Sequence, residues 1–168
     1  MLIRRLALED AVALQSLRGL VDLNGALGRP AERQLALTIE HIRGQLIASI
    51  ETIGGFIERS LVGSASLSRM PECIFDAEST EWFGLSAIIV HPNFRGRGVG
   101  RALLNECLSR AAQHKAKGML LELYVPNPAA KALYESLGFE AWNVFEGDFH
   151  YNNQRYDKVS MRKRLSGA

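Results

Sequence analysis

Glycines at three alternate positions, Gly96, Gly98 and Gly100, are threaded with Arg95, Arg97, Val99 and Arg101. Residues 82–90 before them form an almost unbroken apolar run, the pattern of a central strand covered on both faces. After them Val99, Leu103, Cys107 and Ala111 fall on one helical line, with Leu104 and Leu108 beside it. Residues 119–125 read as a second buried strand, so strand, glycine turn, helix and strand follow one another as a parallel βαβ unit. Without β-carbons, such a turn bends tightly and aims several N–H groups at one point, where the helix dipole adds partial positive charge. A nest of that kind binds phosphate oxygens, and three guanidinium groups strengthen the expectation of a polyphosphate. No G-K-[ST] follows and the glycines do not fit G-x-G-x-x-G, so nucleoside triphosphates and dinucleotides lose ground. The plain alternative is a solvated loop that happens to open a helix.

The flanking sequence supplies the remaining elements. Residues 2–6 read as an opening strand, followed by a helix carrying Leu14, Leu17 and Val21 behind Glu9 and Asp10, broken by Asn24, Gly25, Gly28 and Pro30. A second helix places Leu35, Ile39, Ile42 and Leu46 on one face, with Pro30 suited to its first turn. Residues 52–70 read as a strand pair broken at residues 58–60. The helix after the glycine turn is expected to end at Gly118 as a left-handed cap, with Lys115 and Lys117 in its last turn. Asn127 and Pro128 signal a short helix that stops at Gly138. The tail reads as two long strands turning near Asn152 and Asn153.

Composition narrows the function. A chain of 168 residues with 47% hydrophobic content suits one domain spanning residues 1–168. No apolar run approaches the ~18 to 20 residues of a membrane helix, and the first ten residues alternate charged and apolar, unlike a signal peptide. The expectation is a soluble, cytoplasmic protein with no membrane partner. Cys73 and Cys107 lie far apart and the four histidines form no ligand pair, so no metal is implied. A net charge of +2 falls well short of a nucleic-acid-binding face.

Ile88, Ile89 and Val90, then His91-Pro92, the 95–100 turn as [QR]-x-x-G-x-[GA], and Asn127 followed by Ala130-x-x-Leu133-Tyr134-x-x-x-Gly138-Phe139 together resemble the GNAT superfamily of N-acyltransferases. The detailed resemblance covers residues 82–140. It implies an α/β (α+β) single-domain fold with a mixed, mostly antiparallel sheet of about six to seven strands and about four helices. In that fold the two central parallel strands splay. The resemblance further implies that acetyl-CoA is the cosubstrate. Its pantetheine arm would meet the backbone of Ile88, Ile89 and Val90. Its pyrophosphate would sit on Arg95, Gly96, Arg97, Gly98, Val99, Gly100 and Arg101, while Asn127, Ala130 and Lys131 would line the far side of the arm.

Tyr134 falls where many members of the family carry a tyrosine beside the thioester sulfur, which implies a proton donor for the leaving thiolate. Helical spacing alone reads it as packing beside Leu133 and Leu137. For the base, Glu81 at the entrance of the central strand is the candidate, while Gly84 departs from the family pattern, since some relatives carry a glutamate at that position. Glu122, between Leu121 and Leu123, reads equally as a structural carboxylate. Trp142, Phe145, Phe149, Tyr151 and Tyr156 are expected to be scaffold in the last hairpin. Cys107 is expected to pack in the core rather than act as a nucleophile.

The reading is direct transfer of an acetyl group to a primary amine of a small or amino-acid-like molecule, with a peptide N-terminus or lysine as runner-up. Homodimerisation is an expectation by analogy with the family. One rival is an acyl-CoA-binding regulator without turnover. Another is a nucleic-acid binder using Arg95, Arg97 and Arg101, disfavoured by the few aromatic and basic residues around the turn.

Overall fold

The structure, a computed structural model, describes residues 1–22, 38–69, 81–125, 127–151 and 154–165. In chain order the elements are β1 (Leu2–Arg5), α1 (Ala11–Asp22), α2 (Ile39–Ala48), β2 (Glu51–Ile57), β3 (Ser60–Arg69), β4 (Trp82–Val90), α3 (Val99–Gln113), β5 (Gly118–Val125), α4 (Pro128–Ser136), β6 (Glu140–Tyr151) and β7 (Gln154–Arg164). Seven strands form one sheet in the order β1-β2-β3-β4-β5-β7-β6. Among the described residues only β4 and β5 run parallel, because α3 carries the chain back across the sheet between them. This is the mixed α/β architecture that the resemblance implies, around the βαβ unit that the residue pattern predicts.

Two apolar clusters cover the two faces. Leu14 and Leu17 of α1 and Ile42 and Leu46 of α2 pack with Phe56, Leu61 and Ile89 on one face. Val99, Leu103, Leu104, Cys107 and Ala111 of α3 pack with Phe83, Leu85, Met119, Leu121 and Leu123 on the other, together with Tyr134 of α4. Each fully buried leucine, such as Leu14 or Leu103, contributes about 1.5–3 kcal/mol over exposure. Among the described residues no helix is long and apolar enough to cross a membrane.

The α1 entrance is pinned electrostatically. The Arg4 guanidinium donates twice to the Asp10 carboxylate, at 2.7 Å each, and the Ala7 N–H donates to it at 2.8 Å. The hydrogen bonds from Arg4 hold the Asp10 carboxyl below its ordinary range against the opposing effect of burial. Its contribution is therefore present above the unfolded carboxyl value and fades as pH falls through the lowered folded one. Asp10→Asn is expected to cost about 1.5–3 kcal/mol, lowering the melting temperature at neutral pH by about 5 °C. Thermal melts from pH 7 to pH 2 should show the two proteins converging in acid. A constant gap across that range would refute the ion-pair account.

Three expectations need correction. The second helix starts at Ile39, because Thr38 is extended (ψ 163°) and its hydroxyl accepts from the His41 N–H; Leu35 and Pro30 lie outside the described residues. α3 ends at Gln113, not Gly118, and the left-handed residue beyond it is Lys115 (φ 57°). Gly118 instead opens β5, where an added β-carbon would lie 2.4 Å from the Trp82 ring. Its glycine serves close approach rather than a cap. The aromatic tail is not all core: Trp142 is 41% exposed and Phe145 39%, on an edge strand that no described helix covers. Cationic side chains of β7 lie on both rings, Arg162 over Trp142 and Lys158 over Phe145. The 152–153 turn, Cys73 and the 22–33 and 71–80 loops, apart from Asp22, lie outside the described residues, as do the side chains of Phe149 and Tyr151.

Candidate acyl-transfer site

The glycine turn adopts the backbone its sequence requires. Gly96 and Gly98 have φ of 71° and 79°, in the left-handed region closed to most side chains. A β-carbon built at either meets no atom within 4 Å, so the turn faces outward. Gly98 is the N-cap of α3 with no side chain capping it, which leaves the first amides of a 15-residue helix pointing outward. Arg95, Arg97 and Arg101 are exposed around it. Arg95 Nε donates to the Val90 carbonyl at 3.3 Å, Arg97 lies over the Phe94 ring, and Arg101 donates to the Ser136 hydroxyl at 2.8 Å. Arg101 thus ties the first turn of α3 to α4. Gly100 lets α3 approach Leu133 and Val90, at 3.2 and 3.6 Å from its would-be β-carbon. The helix dipole and bare amides lie beside three exposed arginines, a setting that can receive a diphosphate.

Beside the turn the sheet opens. The parallel ladder of β4 and β5 has four rungs, from Trp82–Gly118 to Leu85–Leu121, and none beyond among the described residues. Past that point β4 stays paired to β3 as far as Val90, and β5 stays paired to β7 as far as Val125. The divergence has a local cause. Ser64 pairs Ile89 and Ser66 pairs Ser86, so the single residue Ala65 of β3 faces Ala87 and Ile88 of β4. Ala87 takes φ 50°, a left-handed conformation costing about 1–2 kcal/mol, and such a bulge bends its strand. The edges of Ile88, Ile89 and Val90 therefore border a fork rather than a ladder.

α4 closes one side. The Asn127 side chain accepts from the Ala130 N–H and Pro128 fills the first turn, while Lys131 pairs with Glu135 four residues on. Tyr134 is 6% exposed, with its ring edge-on to Phe139. Burial pushes its hydroxyl up to about 12, so it is protonated at neutral pH.

The two carboxylates named from sequence part company. Glu81 pairs with Lys117 beside the first rung, at the closed end of the fork. Glu122 is the first β5 residue past the last rung, and alternation turns it to the face opposite Leu121 and Leu123, away from α3 and α4. The Glu122 Oε1 accepts from Ser160 Oγ at 3.5 Å and pairs with Lys158 Nζ at 3.5 Å. Lys158 also reaches Asp148 at 3.5 Å, and the Tyr124 hydroxyl donates to Asp148 at 3.4 Å. Lys158, Asp148 and Tyr124 escaped the sequence reading. Period-two alternation already places Tyr124 with Glu122, whereas the other two need the β5–β7–β6 register.

A model of the Acetyltransferase (GNAT) family matches residues 29–139. The chain belongs to this family. The GNAT chain is 45% identical to a mycothiol acetyltransferase of Kocuria rhizophila over 58 residues, 34% of this chain and 19% of that protein. It is 33% identical to the [ribosomal protein bS18]-alanine N-acetyltransferase of Escherichia coli over 79 residues, 47% of this chain and 53% of the other. It thus spans about half or less of the length of the curated relatives it matches. A ribosomal-protein-alanine N-acetyltransferase structure from Brucella melitensis superposes with a TM-score of 0.82 at 24% identity, over 98% of this chain and 100% of the other. A Salmonella typhimurium structure solved with acetyl-CoA gives 0.84 at 19% identity, over 99% and 95%. At these identities the superpositions show the GNAT fold alone.

Proposed function

We propose that the chain, working as one domain, transfers an acetyl group from acetyl-CoA to a primary amine by direct attack. The observation that carries this is the juxtaposition of an outward-facing glycine–arginine turn with a fork between two parallel strands. The turn receives the pyrophosphate, and the strand edge at Ile88, Ile89 and Val90 receives the amide-bearing arm as an added strand. Asn127, Ala130 and Lys131 border the arm from α4.

Two residues then divide the proton traffic across the sheet. Glu122, on the α1/α2 face, takes the proton that an arriving ammonium must lose before its nitrogen can attack. The amine nitrogen bonds to the thioester carbonyl carbon, the carbon–sulfur bond breaks, and Tyr134 on the α3/α4 face gives its proton to the sulfur. The nitrogen sheds its second proton through solvent to the tyrosinate, leaving a neutral amide, a free thiol and Tyr134 restored. Glu122 displaces Glu81 as the base in this reading, since Glu81 lies at the closed end of the ladder. No covalent enzyme intermediate is invoked: Cys107 is fully buried and desolvation pushes its thiol up to about 12.

The acceptor is a small or amino-acid-like amine. Similarity to the bS18-alanine N-acetyltransferase favours a peptide N-terminus as the second reading. Thiol release from acetyl-CoA, screened against polyamines, amino acids, aminoglycosides and alanine-initiated peptides, decides between them. Absence of release with every acceptor, despite measurable CoA binding, would leave a regulator instead. Tyr134→Phe is expected to lower kcat about tenfold, less than loss of a base, because a thiolate is already a stable leaving group. An unchanged kcat would remove Tyr134 from the mechanism.

A further inference from the structure

Lys158 lies in the β5–β7–β6 register opposite Tyr124 on one side and Phe145 on the other, on the sheet face away from α3 and α4. Its ammonium stands 3.5 Å from a Glu122 oxygen, 3.5 Å from an Asp148 oxygen and 4.6 Å from the Phe145 ring centre. We propose that Lys158 is a positioning residue for acyl transfer, holding the Glu122 carboxylate at the mouth of the β4–β5 fork. This rests on the reading of Glu122 as the base.

The exposures set the order of the groups. The Lys158 side chain is only 18% exposed, while Glu122 is 57% exposed, so an arriving amine meets carboxylate oxygen and not ammonium. The ammonium of the lysine lies over the Phe145 ring and is shared by two carboxylates that would otherwise repel. Burial pulls the Lys158 ammonium toward neutrality, but the Glu122 and Asp148 charges outweigh it and raise the group above its ordinary value. Lys158 therefore stays a cation while the base works. The Ser160 hydroxyl and the ammonium both reach Oε1 of Glu122, which leaves Oε2 for the amine proton. Tyr124 anchors Asp148 on the other side. Each contact is long, and an exposed ion pair is worth little for stability. Its effect is on where a flexible glutamate points, a quantity that turnover reads and melting does not.

The test is steady-state kinetics of the full chain with acetyl-CoA and the fastest amine from the thiol-release panel. Lys158→Met is expected to lower kcat about tenfold, with the KM for acetyl-CoA within about twofold of the parent, since the lysine acts away from the phosphate turn. Lys158→Arg, whose guanidinium reaches both carboxylates, should recover most of the loss. In a Glu122→Gln background Lys158→Met should add less than about a twofold change, because its target has gone. A Lys158→Met enzyme with parental kcat overturns the proposal, as does an equal loss in both backgrounds, which would mark a scaffold role. Full turnover by Glu122→Gln alone sinks the base assignment, an outcome told apart by that single variant.

Discussion

Glu122→Gln is expected to lower kcat about a hundredfold at neutral pH, within the range that positioned acid–base groups contribute. The argument is one of supply. An alkyl amine with an ordinary value of about 10 is almost wholly ammonium at pH 7, and the ammonium has no lone pair for the thioester. A carboxylate at the mouth of the fork removes that proton as the nitrogen advances, whereas an amide cannot. Above the acceptor's own value the free amine is abundant and the base matters less. The ratio of parent to variant rates should therefore shrink steadily from pH 7 to pH 10. A variant within twofold of the parent at pH 7, or a ratio that does not change with pH, removes Glu122 from the role. Glu81→Gln supplies the contrast. Its partner is Lys117 at the closed end of the ladder, so turnover should stay within about twofold of the parent.

The turn and the helix it opens were legible because their physics is local. Left-handed glycines, an uncapped helix start and a run of arginines act within a few residues of one another, and the structure keeps them together. The cap at Asn127 and the stop at Gly138, with φ of 82°, were legible for the same reason. The fork was implied by resemblance and by nothing in residue chemistry. It depends on a bulge centred on Ala87, and alanine carries no preference for the conformation it takes there. The sequence misleads at the end of α3 because Gly118 has the residue type expected of a cap, while its real constraint is the Trp82 ring, 36 residues earlier in the chain. Glu122 looked like either a structural or a catalytic carboxylate until the register fixed its face. Aromatic alternation points to scaffold at Trp142 and Phe145, but it does not say whether a helix covers the strand.

Gly98→Val should weaken CoA binding by about a hundredfold while leaving the fold intact. Gly98 holds φ 79° and ψ 0° at the N-cap of α3, a region that a β-branched residue enters only with strain. A β-carbon at this position meets no atom within 4 Å, so the penalty is conformational, and it is relieved by turning the peptide planes that aim the first amides of the helix. Binding of a diphosphate depends on those amides converging, and a factor of one hundred corresponds to about 2.7 kcal/mol. Calorimetric titration with CoA reads this directly, and kcat at saturating acetyl-CoA should stay within about threefold of the parent. Gly98→Asn is the discriminating control, since asparagine enters the left-handed region more readily than other side chains and should retain most of the affinity. Gly100→Val should fail differently, by pushing Leu133 and Val90 apart and disturbing the seat of α4. If Gly98→Val binds CoA as the parent does, the turn is a helix start and not a phosphate site, and the acyl-transfer reading loses its cofactor anchor.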